Sequence, residues 1–126
     1  MNKTTHPEIN KAFIIDDEAD ICYLLRSVLN KKQIASEHAN TLKEAKVALK
    51  GKNPAIIFLD NRLPDGLGVN FIKQIKKEHP ASKIIMITAH DNQADREKAL
   101  DEGADYFMGK PFSREIVNKI VDIFIP

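Results

Sequence analysis

The strongest constraint on the fold of this chain is a repeated change of hydrophobic period. Short apolar runs alternate with stretches in which apolar residues recur every three to four positions. The runs suit strands buried on both faces, and the periodic stretches suit helices with one core-facing stripe. Ala12-Phe13-Ile14-Ile15 is the first run, and Ile21, Leu24, Leu25, Val28 and Leu29 form the first stripe. A weaker extended stretch covers Ile34 to Ala39, after which Thr41 and Glu44 have the spacing of a capping box that opens a second helix. Ala55-Ile56-Ile57-Phe58-Leu59, bounded by Pro54 and Asp60, predicts the central strand. Leu67, Phe71, Ile72 and Ile75 predict a third helix, following the turn chemistry of Leu63-Pro64-Asp65-Gly66. Ile84 to Ile87 predict a fourth strand ending at Thr88, and a polar fourth helix capped by Asp91 or Asn92 runs to about Asp101, with Gly103 as its C-cap. Tyr106-Phe107-Met108 then forms a fifth strand, and Ile116, Val117, Ile120, Val121 and Phe124 line a last helix.

Strands alternating with helices imply right-handed crossovers and a parallel sheet covered on both faces, a doubly wound α/β domain. The 126 residues suit one such domain. A flexible tail is expected over residues 1–10 and the domain over 11–126. Apolar residues make up 43% and charged residues 29%, as in a folded globular protein rather than a disordered chain. A net charge of +1, with both signs interspersed, supplies no field to draw nucleic acid or anionic lipid, so direct DNA binding is not expected. No apolar run approaches the roughly 18 residues of a membrane span, and the N-terminus lacks a signal-peptide core, so a cytoplasmic protein is expected. Cys22, the one cysteine, falls in an apolar-periodic stretch and is expected to be a buried structural thiol. His6, His38 and His79 lack ligand spacing and are assigned to surface or loops, and Lys31-Lys32 and Lys76-Lys77 to solvated helix ends.

Open parallel sheets bind ligands beyond the carboxyl ends of their strands, so the residues directly after each apolar run are the informative ones. Asp16 and Asp17 follow the first strand, Asp60 the third, Thr88 the fourth and Lys110 the fifth. Three converging carboxylates repel one another unless a cation offsets the repulsion, and Mg²⁺, which accepts oxygen ligands and shares them with phosphoryl oxygens, suits the set. Thr88 can donate a hydroxyl hydrogen bond, and Lys110 supplies a point charge for an anionic oxygen. These groups describe phosphoryl transfer onto a carboxylate.

In order and spacing, Asp16-Asp17, Asp60, Thr88-Ala89 and Lys110-Pro111-Phe112 resemble the signature of CheY-like response-regulator receiver domains of bacterial two-component signalling. The resemblance spans nearly the whole chain. It implies a flavodoxin-like strand order 2-1-3-4-5. It makes Asp60 the phosphoacceptor, loaded by a histidine kinase or phosphotransfer protein, and it assigns Mg²⁺ to Asp16, Asp17, Asp60 and the main-chain carbonyl of Arg62. Thr88, Lys110 and the Ala89 amide would hold the phosphoryl oxygens. Lys110-Pro111 matches the family's cis peptide, and the Arg62 and His90 side chains match positions that tune phosphoryl lifetime. The implied switch couples Thr88 to Phe107 and acts on the surface around the fourth helix and fifth strand, which addresses an output domain or target and can form a homodimer through the fourth and fifth helices. Such a domain is a switch assisting its own phosphorylation and dephosphorylation rather than an enzyme. Many relatives carry Tyr at the position of Phe107; a phenylalanine cannot donate a hydrogen bond, so its coupling would rest on packing. Gly109, just before the lysine, is also unusual in a strand.

Three other functions share part of this pattern. A haloacid-dehalogenase-like phosphatase shares the carboxylate and Mg²⁺ chemistry but carries Asp-x-Asp after the first strand, where this chain has adjacent acids. A flavodoxin-like cofactor carrier would place phosphate beside Asp16 and Asp17, which repel it unless a cation masks them. A phosphorylation-independent interaction module remains compatible with Phe107 and Gly109, although every acceptor residue is present. Met1 argues for a natural start, and either a stand-alone receiver or the N-terminal piece of a longer regulator is expected.

Overall fold

The computed structural model describes residues 7–89 and 92–126. His6, His90 and the alternative helix cap Asp91 lie outside the described residues. Five parallel strands, β1 (Glu8–Ile15), β2 (Ala35–Ala39), β3 (Pro54–Asp60), β4 (Lys83–Thr88) and β5 (Tyr106–Gly109), form one sheet in the order β2-β1-β3-β4-β5. Helices α1 (Ala19–Lys31), α2 (Leu42–Ala48), α3 (Ile72–Glu78), α4 (Gln93–Glu102) and α5 (Arg114–Phe124) follow the strands in turn. This is the doubly wound topology that the alternating periods imply.

Alternation along each strand divides the core into two layers. Phe13, Ile15, Ile57, Leu59, Ile84 and Met86 pack against Ala45, Ile72, Ile75 and Ala99 of α2, α3 and α4. Ala12, Ile14, Ile56, Phe58, Ile85 and Ile87 pack against Leu25, Leu29, Val117, Ile120 and Val121 of α1 and α5. Pairing of Ile15 with Leu59 and of Leu59 with Met86 keeps the ends of β1, β3 and β4 level at one edge of the sheet. The acids after β1 and β3 are therefore delivered side by side.

Several local expectations change. Residues 8–10, expected in the tail, belong to β1, because Glu8 pairs with Pro54 and its N–H donates to the Asn53 carbonyl at 2.7 Å. The predicted third helix is shorter: Leu67 lies in a small hairpin pairing Arg62–Leu63 with Gly66–Leu67, and a 3₁₀ turn over Gly68–Phe71 precedes α3. Thr41 caps α2 by accepting the Glu44 N–H at 3.0 Å, but the next donors, Leu42 and Lys43 N–H, go to the Asp65 carboxylate at 2.9 and 3.0 Å. His79 lies in the loop directly after α3, as expected of a surface or loop residue, but it is buried, with Nδ1 2.7 Å from the Lys52 carbonyl, and ties that loop to the segment before β3. Lys76 likewise bridges α3 to the segment before β5, pairing with Asp105 at 2.7 Å.

Asn92 caps α4 by accepting the Asp95 N–H, and Gly103 closes it in the left-handed region at φ 119°. Ala99 is the buried residue of this otherwise polar helix. Ser113 caps α5 by accepting the Ile116 N–H at 3.2 Å. Removing that acceptor by Ser113→Ala is expected to cost about 1 kcal/mol, read as a lower urea midpoint with an unchanged slope.

Candidate functional site

The edge of the sheet where β1 and β3 end carries the acids. Strand residues Ile15 and Leu59 are fully buried, so the residues directly after them emerge at the boundary of the core with little room to reach water. Asp16 is fully buried and Asp60 nearly so, while Asp17 is exposed. One carboxylate oxygen from each of the three can be found within 4.8 Å of the others. Lys110, presented just after β5, brings its ammonium to 3.1 Å from Asp16, 3.5 Å from Asp60 and 2.7 Å from Glu18. Its own N–H donates to the Thr88 carbonyl at 2.7 Å, which fixes the strand end that carries it. The Lys110-Pro111 peptide bond is cis.

This crowding strains the charged forms. Burial pushes Asp60 up to about 6, and repulsion from Asp16 adds to the shift while Lys110 and the Arg62 N–H oppose it. Burial also raises Asp16, against the Glu18 N–H and Lys110. For Lys110, burial works to lower its pKa but is outweighed by Glu18, Asp16 and Asp60, so the ammonium is held more firmly than usual. Asp16 uses one oxygen to accept the Glu18 N–H at 2.8 Å. Its other oxygen, Oδ2, is buried without a hydrogen-bond partner among the described residues, although the Lys110 ammonium is near it. A buried anionic oxygen without a hydrogen bond, beside two further carboxylates, fits a hard divalent cation that takes oxygen ligands.

The other expected site residues fall around this centre. Thr88 is buried at the end of β4, one residue beyond the partner of Asp60, and Ala89 follows it at the surface. The Arg62 side chain is exposed on the hairpin. His90 is outside the described residues. Phe107 is set apart from the carboxylates: it is buried in the α2–α3–α4 layer, and the Arg96 guanidinium lies 5.2 Å from its ring centroid. Tyr106 turns to the other face, edge-on to Phe124 of α5.

Two participants escaped the sequence. Glu18 was visible as a third acid in the Asp16-Asp17-Glu18 run, but only the fold brings its carboxylate to Lys110. Gly68 carries no motif of its own, yet a Cβ there would lie 2.2 Å from the Asp60 carbonyl oxygen. Cys22, expected to be buried, is, and its thiol donates to the Asp16 carbonyl at 3.4 Å.

A family model described as the response regulator receiver domain matches residues 12–122. The chain belongs to that family. As a receiver domain it is 37% identical over 101 residues to the response regulator protein PilR of Pseudomonas aeruginosa, covering 80% of this chain and 23% of PilR. It spans about half the length of several other curated regulators. The solution structure of the beryllofluoride-activated NtrC4 receiver domain dimer superposes with a TM-score of 0.86 at 35% identity, covering 92% of this chain and 96% of that one. A response regulator from Burkholderia pseudomallei, whose crystal structure holds a phosphorylated aspartic acid, a calcium ion and citrate, shares the fold at a TM-score of 0.80 and 23% identity, covering 86% and 64%. The receiver domain has no helix, among the described residues, long and apolar enough to cross a membrane.

Proposed function

We propose that this receiver domain accepts a phosphoryl group on Asp60 from a histidine kinase or phosphotransfer protein. The observation that carries the proposal is the gathering of Asp16, Asp17 and Asp60 within 4.8 Å, with the Lys110 ammonium 3.5 Å from Asp60. An Asp60 oxygen attacks phosphorus, the donor's bond to phosphorus breaks with its electron pair leaving on the donor, and an acyl phosphate forms. Asp16, Asp17, Asp60 and the Arg62 carbonyl would hold Mg²⁺, which supplies positive charge to the transferring group. Lys110, the Thr88 hydroxyl and the Ala89 amide hold the phosphoryl oxygens. The side chains of Arg62 and His90 set how long the phosphoryl group survives.

The added charge draws Thr88 inward and biases the packing of Phe107 under α4. Support for a loosely held α4 comes from its single buried residue, Ala99, and the half-exposed Leu100, Tyr106 and Ile116 give the α4–β5–α5 surface apolar contacts for an output domain, a target or a second copy. The NtrC4 relative is a dimer. The domain is a cytoplasmic switch that assists its own phosphorylation and dephosphorylation, not an enzyme with a separate substrate.

Incubation with acetyl phosphate and Mg²⁺, followed by intact mass measurement, is expected to show one phosphoryl adduct. EDTA abolishes it, and so does Asp60→Asn. An adduct that survives in Asp60→Asn would move the acceptor elsewhere. A protein that gains no adduct and binds no beryllofluoride would be a phosphorylation-independent interaction module.

A further inference from the structure

Among the described residues Glu18 is the nearest anion to Lys110, at 2.7 Å, against 3.1 Å for Asp16 and 3.5 Å for Asp60. It also occupies the N-cap position of α1, where a side chain ordinarily accepts a hydrogen bond from the first turn of the helix, yet it makes no such bond. Its backbone N–H donates to Asp16 Oδ1 at 2.8 Å, which pins the loop so that the side chain faces across to the end of β5. The Lys110 side chain is 9% exposed and that of Glu18 is 56% exposed, so the pair reaches from the buried acids out to solvent.

We propose that Glu18 is a positioning residue that draws the Lys110 ammonium, shared with Asp16 and Asp60 in the unphosphorylated domain, toward itself and competes with the phosphoryl group for it. Resting on the phosphoacceptor function, this makes the strength of the Glu18–Lys110 pair a determinant of how readily the phosphorylated state forms. One ammonium is shared among three carboxylates and lies nearer Glu18 than Asp16 or Asp60. The interaction with Glu18 weakens as the ammonium moves closer to a more highly charged group on Asp60. An exposed carboxylate partner sets a modest scale for that competition.

Beryllofluoride in saturating Mg²⁺ serves as the probe, its bound form followed by fluorine NMR. Glu18→Gln is expected to bind it about two- to fivefold more tightly than wild type. Asp20→Asn, which removes a negative charge from the same first turn of α1, is expected to leave the affinity unchanged. In the metal-free protein, Glu18→Gln is expected to shift the Lys110 ammonium resonance while those of Lys32, Lys52 and Lys76, paired elsewhere, stay in place. Equal affinities for wild type and Glu18→Gln, an equal gain in Asp20→Asn, or an unmoved Lys110 resonance would overturn the competition while leaving the phosphoacceptor function standing. Wild-type protein that binds no beryllofluoride would overturn both.

Discussion

Asp60→Asn is expected to make the metal-free domain about 3 kcal/mol more stable than wild type near pH 8, and no more stable below about pH 4. The sign follows from proton binding. Asp60 holds its proton up to about 6 in the folded domain, against 3.8 for an ordinary aspartate. Between those values the folded state binds more protons than the unfolded one, so wild-type stability falls as pH rises through the window. Below it, the carboxyl is neutral in both states and nothing is lost. Above it, the folded domain carries a buried charge beside Asp16 that the unfolded chain would solvate, and the difference between 3.8 and about 6 corresponds to about 3 kcal/mol. Asparagine keeps the shape and removes the charge. Urea unfolding of both proteins across this range in EDTA checks the result, and a gain independent of pH would mean that Asp60 is not the group under strain. Added Mg²⁺ is expected to narrow the difference, because a cation offsets the same repulsion in wild type only.

The fold was largely legible because its information is local. A run such as Ile56 to Leu59 states its own burial on both faces, and the stripe from Val117 to Val121 states which side of α5 meets the sheet. The acids were legible for a related reason: in a parallel sheet the position after each strand is also a position in the crevice, so Asp16, Asp60, Thr88 and Lys110 could be placed without coordinates. What stayed hidden depends on contacts between segments distant in sequence. His79 looks like any polar residue at a helix end until the Lys52 carbonyl is found 2.7 Å away. The capping of α2 by Asp65 joins residues 22 and 23 positions apart, and the Glu18–Lys110 pair joins residues 92 apart. Side-chain reach across such gaps has no periodicity to betray it. Leu67 shows the converse error, since its spacing before Phe71 fits a helix but the turn chemistry beside it produced a hairpin and a 3₁₀ turn instead.

Gly68→Ala is expected to cost about 3 kcal/mol, the upper end for overpacking, and to weaken Mg²⁺ binding with it, although the substitution adds only a methyl group. The backbone of Gly68 is not in the left-handed region, so the demand on this residue is for space. An added Cβ would lie 2.2 Å from the Asp60 carbonyl oxygen and 3.0 Å from Leu59 Cγ. The first of these is main chain, so no rotamer change relieves it, and either the strand end or the turn must move. Neither moves freely. Asn61 N–H donates to the Ile87 carbonyl at 3.1 Å, Gly68 N–H to the Asn61 carbonyl at 2.7 Å, and Val69 N–H to Asn61 Oδ1 at 3.0 Å, a set of bonds that ties the turn back onto β3 and β4. The displacement therefore falls on the segment that aims Asp60 at Asp16 and Lys110. Lost stability alone does not identify that cause, so Leu29→Ala in α1, a buried site in the other core layer with an expected cost of about 2–5 kcal/mol, is the control. Under conditions where both variants are folded, Mg²⁺ affinity measured by titration should fall in Gly68→Ala and hold in Leu29→Ala. If Gly68→Ala kept wild-type affinity, the turn could yield without moving the acceptor, and the glycine would serve only the packing of the loop.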